Sequence, residues 1–236
     1  MSLAEKNYLV VGASSGIGAA VARTLLESGA AVYVWNRRPT DEPAFAGARQ
    51  STVDVTADAP LQGELPDVLH GLVYAPGTIN LGSFRQLKPE IYRQDFEVNL
   101  VGAVRVLQAV HEPLLAAGGA SVVLFSTVAV QAGMAFHASV AAAKGAVEGF
   151  ARSLAAEYAP KQVRFNVVAP SLTDTPLAGR LLSTEKKAEA AAERHPLKRV
   201  GTVGDQARAV LFLLDPENSW ITGQVVGVDG GLGTLR

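Results

Sequence analysis

Gly12-Ala13-Ser14-Ser15-Gly16-Ile17-Gly18 decides the reading of this chain. It follows an apolar run at Asn7–Val11 and opens a segment with Ile17, Ala20, Val21, Thr24 and Leu25 at helical spacing, closed by Gly29. A second apolar run, Ala31–Trp35, comes next. Glycines allow a tight turn and close backbone approach, while a helix N-terminus offers free N–H donors and positive dipole. A strand–glycine loop–helix–strand unit is therefore expected to cradle the pyrophosphate of a dinucleotide.

Outward from this unit the alternation continues. Further strands are expected at Ser51–Val55, Leu72–Ala75, Ser121–Phe125, Arg164–Val168 and Val225–Val228, mostly apolar as strands buried on both faces are. Long helices are expected at Glu90–Leu107 and Ala141–Tyr158. The second is rich in Ala and Gly, which suits close packing on its own sheet and a helix–helix subunit contact as well. The expected fold is a single α/β Rossmann domain over 1–236, with a doubly wound, mainly parallel seven-stranded sheet and helices on both faces. Thr173–His195 is polar and breaks the alternation, so 173–195 is a candidate substrate lid, with Ala188–Ala192 equally readable as a surface helix.

Composition removes other classes. A net charge of −1 without a long basic run gives nucleic acid no electrostatic foothold. There is no cysteine, hence no disulfide frame or thiolate metal site. His70, His111 and His195 are scattered without metal-ligand spacing. No apolar stretch approaches membrane-spanning length, and Glu5 and Lys6 precede the first strand without an apolar signal core, so a cytoplasmic location is expected.

The G-x-x-x-G-x-G spacing, Asp54-Val55, the "VNLVGA" segment around Asn99, "AAAKGAVEGFARSLA" around Lys144, "NVVA" before Pro170, and "ITGQVVGVDGG" at Ile221–Gly231 together resemble the short-chain dehydrogenase/reductase family, from about Asn7 to Gly233. The resemblance implies a nicotinamide cofactor, a carbonyl or alcohol substrate, and a homodimer or homotetramer. It places Gly12, Ser14, Ser15, Gly16, Ile17 and Gly18 on the cofactor, with Asp54 and Val55 at the adenine. Ala75, Gly77, Pro170 and Thr175 are also placed on the cofactor, Thr175 at the nicotinamide carboxamide. Asn36, Arg37 and Arg38 end the second strand without a carboxylate, and two guanidiniums suit a 2′-phosphate, so NADP(H) is expected over NAD(H).

The same resemblance gives Lys144 the nicotinamide ribose, Asn99 a water relay and Thr127 the substrate oxygen. It also calls for a tyrosine four residues before Lys144, where this chain has Val140. None of the five tyrosines is followed four residues later by lysine. Valine neither gives nor takes a proton. Three readings stay open: His137, Ser139, Thr127 or Ser126 substitutes for the phenol; solvent or substrate supplies the proton; or the chain binds NADP(H) silently, as a sensor or inactive partner.

Overall fold

Seven strands form in the computed structural model, which describes residues 2–40 and 45–235; Met1, 41–44 and Arg236 of the domain expected over 1–236 lie outside the described residues. The strands are Asn7–Val11 (β1), Ala31–Asn36 (β2), Arg49–Thr52 (β3), Gly71–Tyr74 (β4), Ala120–Phe125 (β5), Val163–Pro170 (β6) and Val225–Val228 (β7). They make one sheet in the order β3-β2-β1-β4-β5-β6-β7, with every pairing parallel. The chain winds outward from β1 to β3, then crosses to β4 and winds the other way. The reversal lies between β1 and β4, where open α/β sheets leave a crevice beyond their carboxyl ends.

Helices cover both faces. Gly16–Glu27 (α1) and Val203–Leu214 (α8) bury Val21, Leu25, Val210 and Leu214 on one side. On the other lie Pro89–Phe96 (α2), Gly102–Ala109 (α3), His111–Ala116 (α4) and Ala138–Tyr158 (α6), with Val106, Leu114, Val147 and Ala151 in the core. A short turn of helix, Ala129–Ala132 (α5), precedes α6.

Three expectations shift. β3 starts at Arg49, not Ser51, because pairing with β2 sets its register, Tyr33 against Arg49; its residues are mostly exposed, so apolar content could not mark it. The helix expected over Glu90–Leu107 is α2 and α3 joined by a π-helical turn, Glu97–Val101. α6 begins at Ala138 rather than Ala141, placing Ser139 and Val140 in its first turn. The segment 173–195 holds a 3₁₀ turn, Pro176–Ala178, and a helix, Glu185–Glu193 (α7). Thr175 and Thr184 cap these by accepting N–H bonds of 3.3 Å from Ala178 and Lys187. Ala188–Ala192 is thus helical, within α7.

Candidate active site

The glycine loop turns directly beyond β1. Gly12 has φ +79°, and a Cβ there would stand 2.9 Å from the Pro76 nitrogen; one on Gly18 would stand 2.2 Å from the Gly12 carbonyl oxygen. Helix α1 therefore starts hard against the loop, and only glycine fits either position. Ser15 holds the N-cap but makes no side-chain cap bond. Among the described residues the first-turn N–H groups have no side-chain acceptor. Ser14 and Ser15 are exposed beside them. Thr175 reaches this loop: a Cβ on Gly16 would meet its side chain at 3.4 Å.

At the end of β2 the Asn36 side chain is buried, yet neither its amide nitrogen nor its oxygen has a hydrogen-bond partner. Two unsatisfied buried polar atoms normally carry a cost of about 1–3 kcal/mol each. They adjoin a cavity of about 230 Å³ lined by Asn36, Arg38, Pro39, Thr40 and Gln50–Thr52, with no carboxylate among them. Arg37 is exposed and lies close enough to Asp54 to help hold that carboxyl below its usual range, after the larger effect of hydrogen bonds from Thr56. The Val55 side chain packs into the core, and a Cβ on Gly102 would stand 3.0 Å from it. Only its backbone is left for a ligand.

The π turn contains Asn99, and such turns are frequent at functional sites. Its amide nitrogen donates to the Asp95 carbonyl at 2.8 Å and to Thr78 Oγ1 at 2.9 Å. The Asp95 carboxylate accepts from Thr78 at 2.5 Å, Asn80 at 2.7 Å and Ser139 at 2.5 Å. With both amide hydrogens spent, Asn99 Oδ1 is left buried and unpartnered. A Cβ on Gly77 would stand 3.2 Å from that oxygen and 3.6 Å from Lys144 Nζ, so both groups converge on the space beside Gly77. Burial pulls the Lys144 ammonium down to about 8, with the Asp95 charge pulling back. A carbonyl-type acceptor and an ammonium aimed at one space suit a hydroxyl or a water. The cradle and these orphaned atoms fit a nicotinamide dinucleotide.

Around Val140 most polar side chains are committed to other partners. Val140 is 4% exposed, packed rather than presented. Ser126 donates to the buried Glu148 carboxylate at 2.7 Å, and Ser139 is committed to Asp95, so neither hydroxyl is free. The His137 ring sits 2.7 Å from the Ala135 carbonyl at the start of α6. Thr127 Oγ1 only accepts, from Ala129 N–H at 3.3 Å, leaving its own hydrogen. Tyr74 is buried, donates to the Val98 carbonyl at 2.6 Å, and has its phenol pushed far up by burial. Tyr92 lies one turn before Asp95 on α2, its hydroxyl buried without a partner. Beyond β6, His195 is buried, with Nε2 2.7 Å from Ser171 Oγ and Nδ1 2.7 Å from the Ala191 carbonyl. Among the described residues no cluster of three or more His, Asp or Glu could hold a metal.

Residues 12–233 match the family model described as enoyl-(acyl carrier protein) reductase. The chain is 34% identical over 251 residues to a tropinone reductase homolog of Arabidopsis thaliana, covering 98% of this chain and 94% of that protein. This chain belongs to the short-chain dehydrogenase/reductase family. It is also 32% identical over 240 residues to the L-xylulose reductase of Bos taurus, covering 98% of each. Among solved structures, the ligand-free aldohexose dehydrogenase of Thermoplasma acidophilum superposes with a TM-score of 0.87 at 29% identity, covering 99% of this chain and 96% of that one. A putative NAD(P) dependent gluconate 5-dehydrogenase from Beutenbergia cavernae, with bound NADP at low occupancy, gives 0.86 at 28% identity over 98% of each chain. The family is one of oxidoreductases.

Asn99, Lys144 and Gly77 are brought together, as are Gly12, Gly16, Gly18, Ala75 and Thr175. The sequence reading missed Asp95, the anion at the centre of the network, and the Ser171–His195 pair. Asp95 carried one signal: it precedes Asn99 by four residues, one helical turn. Ser171 stands where the family commonly has glycine after proline, but it and His195 are 24 positions apart, and nothing in the sequence joined the two.

Proposed function

We propose that this chain is an NADP(H)-dependent oxidoreductase interconverting a carbonyl and an alcohol, with an active site that works without the phenol that the family resemblance calls for before Lys144. The observation that carries the cofactor choice is the buried, unpartnered Asn36 amide beside a cavity with no carboxylate among its described lining residues, with Arg37 and Arg38 next in the chain. A carboxylate there would repel a 2′-phosphate, whereas guanidiniums bond it. The bound nicotinamide supplies the hydride or takes it. The glycine loop and the open end of α1 hold its pyrophosphate. Lys144 and Asn99 bind a ribose hydroxyl and a water beside Gly77, and Thr127 gives its hydrogen to the substrate oxygen.

Residues 173–195 form the lid over this crevice. Exposed Ile79, Phe84, Phe136, Leu177 and Leu197 lie on segments that follow the carboxyl ends of β4, β5 and β6, and favour a substrate with an apolar body. A groove of about 310 Å³ along α3, α4 and α6, with Leu107, Leu115, Phe150 and Leu154 in its wall, supports pairing with a second copy. Gly149 on α6 has open space where a Cβ would be, leaving room for that approach. Fluorescence titration with NADPH and NADH tests the reading: NADPH binds more tightly, and equal or tighter NADH binding refutes it.

A further inference from the structure

His195 is held by two short hydrogen bonds whose chemistry fixes its tautomer. The Ala191 carbonyl offers only lone pairs, so Nδ1 carries a hydrogen; Nε2 of the neutral ring is then bare, and Ser171 must donate to it. The ring is only 2% exposed, and packs against Gly230, where a Cβ would stand 3.5 Å from it. Ser171 is half-buried at the end of β6. Its place in the crevice follows from the register. Phe125 pairs with Val168, and the Val128 N–H continues this ladder by donating to the Pro170 carbonyl at 2.9 Å. Thr127 immediately precedes that bond on one chain segment and Ser171 immediately follows it on the other. Two hydroxyls thus stand at the carboxyl ends of adjacent strands, one with its hydrogen unspent and one backed by a base.

We infer that Ser171 and His195 form the proton relay of the oxidoreductase, in place of a tyrosine at position 140; the inference rests on the carbonyl–alcohol reading above. In alcohol oxidation the substrate O–H bond breaks and its proton passes to Ser171 Oγ. The Ser171 hydrogen moves to His195 Nε2, and the substrate carbon loses its hydride to the oxidised nicotinamide as the carbonyl forms. His195 ends as imidazolium with Nδ1 still on Ala191. Reduction runs the same transfers backward, from an imidazolium that donates through Ser171 to the nascent alkoxide. Thr127 donates to the same oxygen without changing its own protonation.

Ser171→Ala tests this, and His195→Gln serves as the second variant. Imidazole ¹⁵N NMR of the cofactor-free protein should show His195 protonated on Nδ1, with the Nε2 resonance moving in Ser171→Ala. Turnover with a carbonyl panel should fall at least about a hundredfold in kcat, while NADPH Kd stays close to wild type and the thermal midpoint falls only by the cost of one unpaired buried nitrogen. Val140→Tyr in the Ser171→Ala background should restore turnover by supplying a phenol next to Lys144. Unchanged kcat in both variants, or a hydrogen on Nε2 in place of Nδ1, would overturn the relay. So would turnover that survives Ser171→Ala but is lost in Tyr92→Phe. A wild-type protein that binds NADPH yet reduces nothing refutes the relay and leaves the cofactor reading standing. Failure to bind NADPH at all overturns both.

Discussion

Lys144→Met removes the charge on a side chain buried between α6 and the crevice while keeping an apolar stem of similar length. In the folded protein the ammonium is pulled from 10.5 to about 8, chiefly by desolvation. Each pKa unit is about 1.36 kcal/mol, so holding Lys144 charged costs the folded state about 3 kcal/mol at neutral pH. Because the folded value lies below the unfolded one, the cost is fully present below pH 8. It fades as pH rises from about 8 toward 10.5, where the folded lysine is neutral and the unfolded one still charged. Lys144→Met should therefore be more stable than wild type at pH 7, by roughly 6–12 °C in thermal midpoint for a domain of this size. Urea unfolding at pH 7 and pH 9.5 measures the gap, which narrows at the higher pH. The same variant should bind NADPH at least about tenfold more weakly, having lost a charge-assisted hydrogen bond. Lower stability at pH 7, or a gap that does not change with pH, would refute the reasoning.

Replacing Arg37 and Arg38 with Glu should weaken NADPH binding by more than about tenfold in a fluorescence titration and leave NADH binding nearly unchanged. Gly18→Ala drives a methyl into the Gly12 carbonyl and should destabilise the protein by on the order of 3 kcal/mol in urea, with loss of NADPH binding. Gly149→Glu places a charge on the exposed face of α6 and should shift sedimentation toward monomer without changing the fold by circular dichroism. An unchanged sedimentation profile would place any self-association on another surface.

The glycine loop and the apolar strands were legible because local chemistry fixes them: tight backbone approach demands glycine, and strands buried on both faces demand Val, Leu and Tyr. β3 was less so. An edge strand with exposed side chains takes its register from β2, not from its own pattern. The π turn at Asn99 was hidden since the residues in it, Glu-Val-Asn-Leu-Val, are ones that an ordinary α-helical turn also takes. Asp95 reads as one more acid on a polar helix until α6 and the loop after β4 close over it with Thr78, Asn80 and Ser139. Ser139 for that reason is a clamp to α2 rather than the free hydroxyl open to it in the sequence. His195, isolated in the sequence, gains its meaning only where α7 ends above β6 and sets the Ala191 carbonyl on one nitrogen and Ser171 on the other.

Whether the chain uses the cofactor that its glycine loop is built to hold is decided by the nicotinamide absorbance of the purified wild-type protein mixed with NADPH or NADH and a panel of apolar-bodied ketones and aldehydes. NADPH oxidation coupled to alcohol formation, with kcat/KM at least about tenfold above that for NADH, is the expected result. Tight NADPH binding with no oxidation by any carbonyl would contradict it and leave a nucleotide-binding protein without turnover.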